Sequence, residues 1–252
     1  MMKKLLAAAA LAASLAAPPL ATPVLASEGG APLEHAPIDV RDLASLQSGA
    51  KTFVNYCLNC HSASLVRYTQ LRDIGLTDEQ IRDYLIFNGG KVGELMTVSM
   101  PRKDAKEWFG AVPPDLSVTA RSRGADWIYS YLRGFYRDPA TLTGWNNTVY
   151  PNVGMPHPMW ELQGERTLVH GDNGGEGHGA LAAAPTFDVT RPGKLTPTEY
   201  DAVVRDLTNF MVWMAEPHQL KRREMGMWVL MGLAVLTLVT WLLYKNYWKD
   251  VH

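Results

Sequence analysis

Apolar positions recur with a helical period at four places along this chain. Gly49, Phe53 and Cys57 stand at i, i+4 and i+8, on one face of a helix that begins around Asp42. Thr77-Asp78-Glu79-Gln80 has the form of a capping box; Ile81, Leu85 and Ile86 follow at helical spacing, and Asn88-Gly89-Gly90 is a stop. A short segment runs from Asp104 to Phe109. Trp127, Tyr131 and Phe135 form an aromatic helical face that Asp138-Pro139 ends. Thr196-Pro197-Thr198-Glu199 combines an N-cap, a first-turn proline and a capping-box glutamate. Val203, Leu207, Phe210 or Met211, and Met214 then line one face, before Pro217 breaks the helix. The pattern predicts a mainly α protein.

Two further stretches are apolar all round. Residues 5–15 follow Lys3 and Lys4 and lead to Val24-Leu25-Ala26. They are too short to span a bilayer, so residues 1–26 read as a secretory signal peptide cleaved after Ala26. Residues 225–244 are 20 positions without a charge. At about 1.5 Å per residue they reach roughly 30 Å, one bilayer core. Trp228 lies near one end, and Trp241, Tyr244, Tyr247 and Trp248 near the other, as interfacial belts do. Lys221, Arg222 and Arg223 precede the span while Lys245 and Lys249 follow it, so flanking charge leaves the orientation ambiguous. The export signal orients it instead. The expected layout is an exported domain over 27–220, then an anchor and short cytoplasmic tail over 221–252.

At 252 residues and a formal charge of −1, one domain with appendages is expected, and nothing marks a nucleic-acid binder. The chain has two cysteines, both in Cys57-Leu58-Asn59-Cys60-His61. This is the spacing for covalent attachment of a c-type haem. Two thiols add across two vinyl groups of one porphyrin, and His61 then lies under the iron as proximal ligand. A structural zinc site needs about four ligands, and a thioredoxin-like motif would sit near a βαβ pattern; neither accompaniment is present. The export signal agrees with haem, since c-type haem is attached on the exported side. One covalent haem c is the expected cofactor.

The far side of the iron calls for a sixth ligand. Of the 11 methionines, Met1 and Met2 fall in the signal, Met225, Met227 and Met231 in the span, and Met211 and Met214 on the packing helix. Met96, Met100, Met155 and Met159 remain. Residues 146–160 form a loop braced by Pro151, Pro156 and Pro158, and a braced loop presents a thioether rigidly, which favours Met155 or Met159. His157, in the same loop, is a further candidate. Residues 161–188 are Gly-rich and hold five carboxylates against Arg166 alone. They read as a solvated loop whose charge helps steer a basic partner.

The spacing of Gly49, Phe53 and Cys57 resembles the amino-terminal helix of class I cytochromes c. Gly110-Ala111-Val112-Pro113-Pro114-Asp115-Leu116-Ser117, the arginines shortly after it, and Glu216-Pro217 before basic residues and a terminal anchor together resemble the cytochrome c1 family. The likeness covers nearly all of the chain after the signal. It implies a mainly α, class I cytochrome c-like haem domain with long loop insertions plus one C-terminal transmembrane helix. It implies Met155 as axial ligand, because the family's methionine follows a small residue and glycine, as in Val153-Gly154-Met155; Met159 and Met100 are the reserves. The metal ligands would then be His61 and Met155. The resemblance also implies that Arg121 pairs with a haem propionate and that Trp127 takes the place of a family tyrosine near the propionates. A guanidinium fork suits a carboxylate.

By the same resemblance, the chain is a subunit of the respiratory quinol–cytochrome c reductase in a bacterial inner membrane, with its haem domain in the periplasm. It would pass single electrons from a Rieske iron–sulfur protein to a soluble cytochrome c, beside a cytochrome b subunit and among membrane lipid. No nucleophile–base constellation stands out, so substrate-converting residues are not expected of this chain itself. Two alternatives stand beside this reading. One is a free-standing anchored cytochrome feeding a terminal oxidase; the other is a haem enzyme, such as a peroxidase, with an open sixth site.

Overall fold

The computed structural model describes residues 32–98, 100–169 and 185–250. The signal expected over 1–26 lies outside them, as does the middle of the acidic stretch. Helix α1 spans Leu43–Thr52, and the Asp42 carboxylate caps it by accepting from the Ser45 amide. One π turn, Phe53–Cys57, extends α1, with the Leu58 amide donating to the Phe53 carbonyl at 3.0 Å. Such a turn holds one residue more than an α turn and re-aims the chain beyond it. Helix α7, Pro197–Ala215, starts on the expected capping box between Thr196 and Glu199. It crosses α1 at Gly49, where an added Cβ would lie 2.6 Å from Phe210 Cβ and closer still to the Asp206 carbonyl oxygen. Phe53 meets Phe210 at 5.6 Å between ring centroids. Across the same crossing the Ser45 hydroxyl donates to Asp206 at 2.8 Å, and the Asn209 amide donates to the Asp39 carbonyl at 2.7 Å. The buried stripe of α7 runs through Tyr200, Val204, Leu207, Met211 and Met214. Val203, expected on it, is half-buried one position away.

Helix α2, Asp78–Leu85, carries the expected box between Thr77 and Gln80, but it stops before Asn88 because Ile86 is already extended. Helix α3, Arg102–Phe109, starts directly after Pro101, two residues before Asp104, and Gly110 closes it at a φ of 74°. Helices α4, Thr119–Arg123, and α5, Ala125–Arg133, come next, and α5 packs on α7. Gly134 ends α5, so Phe135 lies in a strand rather than on the helix, although its ring still meets Tyr131 edge-on at 5.1 Å.

Three antiparallel strand pairs interrupt the helices. They join β1 (Ala63–Arg67) to β2 (Leu95–Met96), β3 (Phe135–Arg137) to β4 (Trp145–Asn147), and β5 (Gly164–Val169) to β6 (Thr186–Pro192). The fold is mainly α, as expected, but the acidic stretch is not simply solvated loop. It holds the short helix α6, Trp160–Gln163, and most of the β5–β6 pair. Glu161 is bonded to Lys194 at 2.7 Å and Glu165 to Arg137 at 3.1 Å, so these two carboxylates are already paired and have little charge left for steering.

Pro217 breaks the chain, and helix α8, Gln219–Tyr247, begins two residues later. Its apolar window has a mean hydropathy of 2.1 and none of it is buried. Helix α8 is long and apolar enough to cross a membrane, and residues 225–244 lie within it.

Candidate functional site

The π turn delivers Cys57 into the main core, where it is 7% exposed, while Cys60 stays half-buried. The amides of Cys60 and His61 both donate to the Cys57 carbonyl, at 3.1 and 2.9 Å, which winds the motif into a tight turn. Burial, with Cys60 adding to it, pushes the Cys57 thiol up to about 12.

His61 is 8% exposed, and its Nδ1 lies 2.7 Å from the Pro114 carbonyl oxygen. A carbonyl only accepts, so the proton sits on Nδ1 and the Nε2 lone pair is free for a metal. Burial lowers the imidazole's basicity, against the opposing pull of Pro114 and Asp115. The Pro114 carbonyl is fixed in turn. The Leu116 amide donates to the Ser62 carbonyl at 2.8 Å. The Asp115 carboxylate accepts from the Ser64 amide at 2.8 Å and the Ser117 amide at 2.9 Å, and the Ser117 hydroxyl accepts from the Leu65 amide at 3.1 Å. Burial would raise the Asp115 carboxyl, but these bonds from Ser117 and Ser64 outweigh it and hold it below its ordinary range. The run Pro113-Pro114-Asp115-Leu116-Ser117 is therefore a clamp on the tautomer and orientation of His61, a role that sequence reading missed.

The candidates for the far side occupy different surroundings. Met155 is half-buried, and the Tyr131 hydroxyl donates to its Sδ at 3.4 Å. Met159 is fully buried in the main core together with Cys57. Met100 lines a cavity of about 300 Å³ with Val54, Leu58 and Phe87. His157 is buried with neither ring nitrogen hydrogen-bonded; it stacks on Phe135 at 4.7 Å and meets Trp145 edge-on at 5.2 Å. Burial, and next the charge of Arg166, drives its imidazole down to about 3.

Tyr131 also stacks on Trp127 at 4.7 Å, so one aromatic wall joins Trp127 to Met155. Arg123, rather than Arg121, lies over Trp127, at 5.1 Å. Arg121 is exposed, and its charge, after those of Arg222 and desolvation, acts on Glu216. Among the described residues, no cluster of three or more His, Cys, Asp or Glu could hold a bare metal ion. The tethering and proximal donors instead fit a haem c: two thiols on one turn and a neutral imidazole with Nε2 free.

The profile of the Cytochrome C1 family matches residues 34–251. The chain belongs to the cytochrome c1 family. It is 46% identical over 238 residues to the cytochrome c1 of Allochromatium vinosum, covering 92% of this chain and 94% of that one. It is 49% identical over 220 residues to a protein of Nitrosomonas europaea named ammonia monooxygenase gamma subunit, covering 87% of this chain and 89% of that one. A solved structure titled hyperthermophilic respiratory Complex III covers 88% of each chain, at a TM-score of 0.41 and 16% identity. Members of the cytochrome c1 family carry one covalently bound haem c, and this chain carries one.

Proposed function

We propose that this chain is the membrane-anchored electron relay of a quinol–cytochrome c reductase, receiving single electrons from a Rieske iron–sulfur protein and handing them to a soluble cytochrome c. Membership of the cytochrome c1 family supports the electron-transfer role and a place beside cytochrome b and the Rieske protein. Haem c supplies one reversible one-electron site. Cys57 and Cys60 tether it, and His61 donates through Nε2. The Pro114 carbonyl, 2.7 Å from Nδ1, keeps the proton on that nitrogen and the ring in one orientation through both redox states. This contact carries the reading, because it leaves His61 with a single free donor aimed by a built clamp.

Met155 is the sixth ligand. Its sulfur is held by Tyr131 at the edge of the core, whereas Met159 is packed inside as an apolar filler. Arg121 makes no hydrogen bond or ion pair with a side chain among the described residues, which leaves its fork available to a propionate; Trp127, stacked on the Tyr131 that holds Met155, is the propionate-side aromatic. Residues 1–26 are a cleaved export signal, 27–220 a periplasmic domain, and 221–252 a single-pass anchor in the bacterial inner membrane.

A Cys57→Ser, Cys60→Ser double variant tests the tether: normal haem stain on a denaturing gel would refute it. Copurification of a b-type cytochrome and an iron–sulfur subunit separates the reductase from a free-standing donor to a terminal oxidase. A ferrous spectrum that ignores carbon monoxide excludes an open-site peroxidase.

A further inference from the structure

Arg166 is half-buried, and no carboxylate is bonded to it among the described residues. Its Nε donates to the Phe135 carbonyl at 2.8 Å, its Nη2 donates to the Arg133 carbonyl, and its Cζ lies 3.6 Å from the centroid of the Phe187 ring. The acids whose charge acts on it belong to another arginine. Glu34 and Asp201 are both bonded to Arg133, with side chains 60% and 38% exposed, so water screens them. Burial draws the Arg166 guanidinium down to about 10, which still leaves it charged at neutral pH. Phe135, whose carbonyl takes the Arg166 Nε–H, meets Tyr131 edge-on at 5.1 Å, and the Tyr131 hydroxyl donates to Met155 Sδ at 3.4 Å. A half-buried positive charge therefore stands two aromatic rings from Met155.

We propose that Arg166 sets the potential of the redox centre: its charge, fixed by two carbonyls and the Phe187 ring, disfavours the oxidised state, which carries one more positive charge than the reduced state, and so raises the midpoint. This rests on the haem c reading above. Arginine suits the task because it stays ionised where a lysine would lose its proton more readily.

The test uses the full-length, haem-loaded protein with Arg166→Gln and Arg166→Lys, followed by pyridine haemochrome, the near-infrared sulfur-to-iron band and a redox titration. Haem content stays parental in both. Arg166→Gln keeps the band and has a lowered midpoint, while Arg166→Lys stays near the parent in mildly acidic buffer and falls towards Arg166→Gln as pH rises and the lysine loses its proton. A parental midpoint in an Arg166→Gln protein that keeps its band overturns the proposal, as does an equal fall with lysine in buffer acidic enough to keep that lysine charged. If Arg166→Gln loses the band, Arg166→Met takes its place; loss in both neutral variants makes Arg166 a structural clamp and overturns the proposal equally. A parent protein without covalent haem would instead refute the haem reading.

Discussion

Replacing Gly49 by alanine adds one methyl group at the tightest point of the α1–α7 crossing. An alanine Cβ would sit 2.6 Å from Phe210 Cβ and nearer still to the Asp206 carbonyl oxygen. Both neighbours belong to the frame of α7, so no side-chain rotation relieves the overlap and the helices must separate. Overpacking costs about 1–3 kcal/mol, and backbone neighbours put this site at about 3. Alanine is the better helix former by about 1 kcal/mol, which leaves a net loss of about 2 kcal/mol. For a domain of this size each kcal/mol moves Tm by about 2–4 °C, so Gly49→Ala should melt about 4–8 °C below the parent. The hydrogen bonds of Ser45 and Asn209 across the same crossing leave little room to slide. Thermal unfolding of the haem-loaded protein in detergent, followed by far-UV circular dichroism, is the assay. A Tm equal to or above the parent's would mean that the two helices do not touch at residue 49.

Met155→Leu keeps the volume and removes the sulfur; covalent haem should remain while the near-infrared band disappears and the midpoint falls, and retention of both would move the search to Met159 and Met100. The Asp115 carboxyl is depressed in the fold, so the stability it adds is complete above its unfolded value of about 3.9 and is lost as pH falls through the lower folded value. The stability gap between parent and Asp115→Asn, from denaturant melts at several pH values, should therefore be constant near neutrality and close only in acid; a gap that survives strong acid would refute the role. Truncation before Lys221 removes a helix with no buried apolar window, so a soluble haem domain should be recovered; a fragment that stays with the membrane without partner subunits would refute the anchor.

Features made by near neighbours in sequence were legible. The capping boxes at Thr77 and Thr196 and the proline at 197 act within one turn, and each helix starts where those residues say. Gly49 and Phe53 were readable as a contact face because helical spacing alone brings them together. What escaped depends on distant partners. His61 and Pro114 are 53 positions apart, and a proline carbonyl leaves no trace in a side-chain pattern. The strand pairs are short and without clear alternation, so no period of two marks them. Arg166 looked like a lone cation among acids; β5 turns it inward, onto carbonyls at the end of α5.

The joint between α7 and α8 is three residues long, 216–218, and is braced by Arg222 bonded to Glu216 at 2.5 Å. Three extended residues reach at most about 10 Å. With α8 embedded in a bilayer, the haem domain is moored: it cannot travel between donor and acceptor, and its centre stays at one altitude above the lipid. Every exchange must then be delivered by something else that moves. On the proposed relay function, a donor fixed in the same sheet of lipid needs its own swinging arm to reach that altitude, and a carrier from the aqueous side has to arrive, dock and leave for each electron. The short joint turns the relay into a fixed station and hands the motion to its partners.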